Sequence, residues 1–242
     1  MQLLRLADVR PAQQERVFRY SPAKAAAAAV TIVLTSAALV AAAWSTRFIL
    51  LYYVAAVLIL GLVVLQTFVR ARFQPSNWLV RTADNGIFVQ FRSYLNARFP
   101  AAHETVAFIS YGEIRSARLV RQRLLIPDRD SSADGIDAVT EERRIVVDLQ
   151  LQGDVARLAR AIDDEIDRAL GPARADSAST RYRHVPVRMS SGSTLQIEWK
   201  VTPGADVFVE LLRSRGIATA AGEETLDTRV VEVPGRGGLR MR

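Results

Sequence analysis

Four arginines, Arg115, Arg118, Arg121 and Arg123, fall within one stretch that also carries Ile114, Leu119, Val120, Leu124 and Leu125. A guanidinium presents a planar fork of donors that matches phosphate or carboxylate oxygens two at a time, so a strand bearing several can meet anionic lipid headgroups or an acidic partner. The plainer reading of the same residues is an edge strand armoured with charge against unwanted pairing. Nucleic acid is not expected, because no helix-turn-helix or RNP-type aromatic pattern accompanies the charge.

A second constellation, Asp130-Ser131-Ser132-Ala133-Asp134-Gly135 followed by Glu141, has the spacing of a calcium loop, in which carboxylates surround the ion and glycine permits the sharp turn. Such a loop needs a helix on each side. Here Leu124-Leu125-Ile126 and residues 145–151 read as strands, so a solvated acidic hairpin loop accounts for the same residues. Catalytic chemistry finds little material. The only histidines are His103 and His184, which excludes a three-histidine zinc site and leaves few general bases near neutral pH. The chain has no cysteine, hence no structural disulfide and no thiolate metal site. It carries no G-x-S-x-G elbow, no Walker loop and no G-x-G-x-x-G. The expectation is a protein that is not an enzyme, with no catalytic residue, metal or cofactor.

The elements that must position the arginines begin with two apolar runs. Residues 25–46 and 48–69 contain no charged side chain and are separated by Arg47. At about 1.5 Å per residue each run is long enough, as a helix, for a hydrocarbon core of roughly 30 Å, which predicts a transmembrane hairpin. A buried soluble helix of that length would carry a polar face, and residues 54–65 have none. A cleaved signal peptide is the other alternative, since Ala41-Ala42-Ala43 supplies small residues, but residues 1–24 are long for its charged leader. Arg5, Arg10, Arg16, Arg19 and Lys24 precede the first run and Arg70, Arg72 and Arg81 follow the second, so the positive-inside bias puts both ends in the cytoplasm. The net charge of +7 and pI near 10.3 suit an anionic membrane surface or nucleic acid equally, and in a chain tethered to a bilayer the lipid surface is the simpler explanation. Lysine occurs only at Lys24 and Lys200, and the arginine-rich, alanine-rich usage has a bacterial cast.

After the break at Gln74-Pro75-Ser76-Asn77, residues 77–216 are expected to form a separate cytoplasmic domain, with residues 217–242 as a flexible tail. Asp84-Asn85-Gly86 between apolar runs signals a hairpin. Strands are expected at residues 105–111, 113–126 and 145–152, and a second hairpin pairs residues 184–189 with 195–201 about Ser190-Ser191-Gly192-Ser193, giving about seven strands in all. Asp154 is an N-cap for a helix whose stripe is Val155, Leu158, Ile162, Ile166 and Leu170, with Arg160, Asp164 and Arg168 outside and Gly171-Pro172 at its end. Thr202-Pro203 opens another, with Val207, Phe208, Leu211 and Leu212 inward and Gly216 at its end.

This order resembles a pleckstrin-homology-like (PH-like) sandwich or barrel closed by a helix. The step Phe108-Ile109-Ser110-Tyr111-Gly112-Glu113-Ile114 is similar to one found in bacterial PH-like domains attached to paired membrane spans. The chain departs from that pattern by carrying a helix inside the strand order. The expected fold class is therefore a membrane-anchored α+β protein, a two-helix transmembrane hairpin followed by an antiparallel β sandwich or barrel with one inserted and one C-terminal helix. The resemblance implies a scaffold that binds lipid headgroups, peptides or partner subunits and carries out no reaction. Phosphoinositide-binding PH domains hold several basic residues around their first hairpin loop, whereas Asp84-Asn85-Gly86 is acidic, so inositide recognition of that kind is not expected. The function expected is a membrane-anchored cytoplasmic interaction or regulatory module of the bacterial inner membrane, with the bilayer and a protein partner or further copies of itself as partners. The alternative is a subunit of an oligomeric channel or transporter complex. Against it, neither apolar run holds the charged residue that usually marks a substrate path.

Overall fold

In the computed structural model, residues 1–10, 15–93, 103–127, 139–170 and 185–220 are described. The segment before the first apolar run is part of the β domain. Its strand β1 (Gln2–Arg5) pairs with β5 (Thr105–Ser110), and β2 (Val17–Phe18) pairs with β3 (Val80–Thr82). With β4 (Gly86–Gln90) they form an antiparallel sheet in the order β1-β5-β4-β3-β2. The second sheet runs β10-β6-β7-β9-β8, from β6 (Ile114–Pro127), β7 (Val139–Leu151), β8 (Val187–Ser191), β9 (Thr194–Glu198) and β10 (Ala218–Ala220). All its pairings are antiparallel except β10 with β6.

The described residues thus hold ten strands where about seven were expected. The additions, β1, β2 and β10, are two to four residues long and have no alternation of their own to read. Partners distant in sequence make them strands, and the domain reaches beyond residues 77–216 at both ends. The Asp84-Asn85-Gly86 hairpin forms as expected, with the Ala83 N–H donating to the Gly86 carbonyl at 2.8 Å. Gly86 is required there, because a Cβ would collide with the Ile109 carbonyl and come within 2.8 Å of the Phe108 ring. Of the expected calcium-like constellation, residues 130–135 lie outside the described residues, and Glu141 lies in β7, opposite Leu125. The segments flanking the loop are strands β6 and β7.

Alternation places Ile87, Val89 and Ile109 from one sheet against Val147, Leu149, Leu195 and Ile197 from the other in a shared core. Helix α3 (Ala156–Leu170) starts at the expected cap, where Asp154 Oδ1 accepts from the Ala156 N–H at 3.0 Å, and it buries Leu158 and Ile162. The last helix of the domain, α4 (Ala205–Ser214), buries Phe208, Val209 and Leu212; Val207 and Leu211 sit half-buried. Its stop is a Schellman-type end. Gly216 takes φ +81°, and the Ile217 N–H reaches the Leu212 carbonyl at 3.1 Å. Trp78 and Val106, with Leu6, form a small cluster on the other face of the first sheet.

Between β2 and β3 the chain leaves this domain as two helices, α1 (Pro22–Thr46) and α2 (Leu50–Ala71), joined by three residues and packed against each other. Helix α1 is capped by Ser21, whose Oγ accepts from the Lys24 N–H at 3.3 Å, and has Pro22 at its first position. Among the described residues α1 is the one helix long and apolar enough to cross a membrane; the apolar part of α2 so described is Leu50–Val63. The pair is apolar outward. Val30, Leu34, Val57 and Leu60 are each more than half exposed, whereas Ala43 and Ala55 are buried.

Candidate functional site at the base of the helical hairpin

The pleat sends the four sequence-predicted arginines in different directions. A bulge between Ile114 and Ser116 resets the alternation, after which Ala117 and Leu119 turn toward the core and Arg118 turns away from it. Arg118 stands opposite Asp148 and reaches its Oδ2 at 3.2 Å. Arg121, an odd number of residues further along, shares the core-side face with Leu119 and stands opposite Ile145. Arg115 is exposed next to the bulge. Arg123 pairs through its backbone with Arg143, and its side chain lies outside the described residues. Arg118 and Arg121 therefore do not share a patch, because a period of two separates positions that sequence proximity joins. Nor is β6 bare along its length, since β10 covers residues 116–118.

Arg118 belongs to a polar row on the outer face of the second sheet. Arg118, Asp148, Gln196 and Arg188 stand in register across β6, β7, β9 and β8, and the Arg188 Nε donates to Gln196 Oε1 at 2.9 Å. In the neighbouring row Glu198 Oε1 lies 3.7 Å from Arg144 Nε and 2.6 Å from Lys200 Nζ. Such cross-strand pairs are each worth about 0.2–1 kcal/mol, and they hold register more than they offer a ligand.

Sequence periodicity missed a buried polar clasp between α3 and the first sheet. Glu165 falls three residues after Ile162, on the helix face that packs inward, and is fully buried. Its carboxylate accepts from the Arg92 Nε and, at 3.2 Å, from the Thr105 hydroxyl; Arg168 lies 3.1 Å away. Beside it Gln90 Nε2 donates to Glu104 Oε2 at 2.7 Å. Burial pushes the Glu104 carboxyl above its ordinary range. The Gln90 hydrogen bond and the Arg92 charge oppose that shift, and the Glu165 charge adds to it. With Arg92 only 2% exposed, the cluster closes the packing between layers. The signal in the sequence was a charged residue at an apolar-stripe spacing.

The hairpin base is stitched to the β domain by backbone and aromatic contacts. Arg19 and Thr202 exchange backbone hydrogen bonds, at 3.0 Å from Arg19 N–H and 2.8 Å from Thr202 N–H. Asn77 Nδ2 donates to the Tyr20 carbonyl at 3.0 Å and to the Arg72 carbonyl at 2.5 Å, joining the strand that enters α1 to the turn that leaves α2. Phe18, Trp199 and Phe208 pack with ring centroids 4.9–5.2 Å apart, and each such pair adds about 0.5–1.5 kcal/mol beyond its buried area.

Around this junction lies a cleft of about 500 Å³. Lys24 from the first turn of α1, Arg72 from the end of α2, Arg121 from β6 and Lys200 from the segment after β9 all line it, and Asp206 is the acidic residue among its lining. Leu119, Ile145 and Trp199 supply its apolar wall. Of the sequence-predicted residues only Arg121 contributes. The others come from positions that no local pattern connects, although the rarity of lysine marked two of them. Elsewhere, among the described residues, no group of three or more His, Cys, Asp or Glu side chains is arranged to hold a metal ion. Comparison of the chain with protein-family models, with curated proteins and with solved structures finds no match.

Proposed function

We propose that this chain is a non-enzymatic, membrane-anchored interaction module, in which a two-span hairpin fastens a PH-like β domain to the cytoplasmic face of a bacterial inner membrane. The observation that carries the reading is the outward surface of α1 and α2, where exposed valine, leucine and isoleucine side chains run along both helices, uncovered by the other described residues. Lipid is the medium in which that surface is stable. At 25 and 22 residues the helices measure about 37 and 33 Å, enough for a hydrocarbon core of roughly 30 Å. Exposed Trp44, Phe48, Tyr52 and Tyr53 gather at the turn, as aromatic side chains do at a membrane interface, while Lys24, Arg70 and Arg72 mark the opposite end. The stitching at that end holds the domain close to the headgroups, where its basic residues meet anionic lipid or an acidic partner.

Since the chain has no cysteine, its topology is open to single-cysteine labelling. Full-length Ser45→Cys should react with a membrane-impermeant maleimide in intact spheroplasts, and Asp154→Cys only after lysis. Labelling of Asp154→Cys without lysis would reverse the orientation, and release of the chain by alkaline carbonate would remove the anchor altogether.

A further inference from the structure

We infer that the cleft at the hairpin base is a binding site for the phosphate of an anionic glycerophospholipid of the surrounding bilayer. The inference rests on the membrane-anchored reading and adds to it a defined site and ligand class.

Charge is the first support. Lys24 and Lys200 are the only lysines among 32 basic residues, and both line this one cleft together with Arg72 and Arg121. Among the described lining residues, four cations face one carboxylate, Asp206. Lys200 has Glu198 at 2.6 Å, and Arg72 Nη1 donates to the Ser21 carbonyl at 3.4 Å. Lys24 and Arg121 are exposed and make no ion pair with a described residue. A phosphate between them would receive a guanidinium fork from one side and a compact ammonium from the other.

The apolar wall is the second support. Apart from the helical hairpin and Phe73 just after it, Ile145 is the large hydrophobic residue left exposed among the described residues, and it lines this cleft directly opposite Arg121. An inorganic anion has no use for that surface. A glycerophospholipid does, because carbon adjoins its phosphate.

Depth is the third. Lys24 lies in the first turn of α1 and Arg72 immediately follows α2, so the cations flank the ends of the apolar helices, at the level where headgroup phosphates lie.

The test is native mass spectrometry of the full-length chain in detergent micelles with added phosphatidylglycerol or phosphatidylcholine. The wild-type chain should retain phosphatidylglycerol in preference to phosphatidylcholine. Lys24→Gln/Arg121→Gln should weaken retention of phosphatidylglycerol about thirtyfold, the worth of two basic residues at an anionic surface. Arg115→Gln/Arg118→Gln removes the same charge outside the cleft and should leave retention unchanged. Equal loss in both double variants, or none in either, would overturn the site. Displacement of the lipid by millimolar inorganic phosphate would make it a free-phosphate site instead. Thermal unfolding in the same detergent separates lost binding from lost fold: Lys24→Gln/Arg121→Gln should leave it unchanged, and the control should lose no more than the small cross-strand contribution of the Arg118–Asp148 pair. A chain that spans the membrane in the labelling experiment but fails here refutes the lipid site alone; a chain that does not span refutes the anchored reading first.

Discussion

The Asn77 side-chain amide donates to the Tyr20 carbonyl across 3.0 Å, so a residue just past the second long helix holds the backbone just before the first. The same nitrogen reaches the Arg72 carbonyl, and Asn77 is 3% exposed. One buried side chain thereby ties the two legs of the hairpin together at its base.

Asn77→Ala should therefore loosen the junction. The buried Tyr20 carbonyl and the half-buried Arg72 carbonyl lose their shared donor, and a buried acceptor left unsatisfied costs about 1–3 kcal/mol. The full chain in detergent should unfold at lower denaturant, with a loss of about 2–4 kcal/mol, and proteolysis should cut first between the hairpin and β3. An unchanged midpoint would mean that water replaces the amide.

The clasp between Arg92 and Glu165 makes a non-additive prediction. Removing one partner of a buried ion pair leaves an uncompensated charge and costs about 3–5 kcal/mol, whereas replacing both with apolar side chains is far milder. Arg92→Leu and Glu165→Leu should each destabilise strongly, and the double variant should be more stable than either single one. Chemical denaturation of the three variants gives the coupling directly; additive losses would show that the two residues act independently.

Glu104 gives a pH dependence whose sign follows from its burial. Its carboxyl binds a proton more tightly in the folded chain than in the unfolded chain, where the ordinary value is 4.5. That contribution to stability is complete below 4.5 and is lost as pH rises through the higher folded value. Glu104→Gln keeps the shape and removes the titration. The variant and the wild-type chain should match at pH 4, and the variant should become the more stable one as pH rises toward 7. Melting curves across that range test it, and a wild-type advantage growing with pH would mean that Glu104 is held as the anion.

Much of the architecture was legible in the chain itself. Uncharged runs of helical length, an Asn-Gly turn between apolar strands, the Asp154 cap and the glycine stop at Gly216 are local signals, each carried by a few adjacent residues, and each element formed near its expected place. Composition likewise decided that no disulfide or thiolate metal site exists. Tertiary structure alone decided what those elements bring together. Strands β1, β2 and β10 exist only because distant partners complete their hydrogen bonds. Glu165 is tolerated inside the helix stripe only because Arg92 meets it from another layer. The arginines of β6, neighbours in sequence, are divided by the pleat, and Arg121 instead joins Lys24, Arg72 and Lys200 from three other parts of the chain. Periodicity reports which face a residue occupies; which faces meet depends on chain crossings that no local pattern encodes.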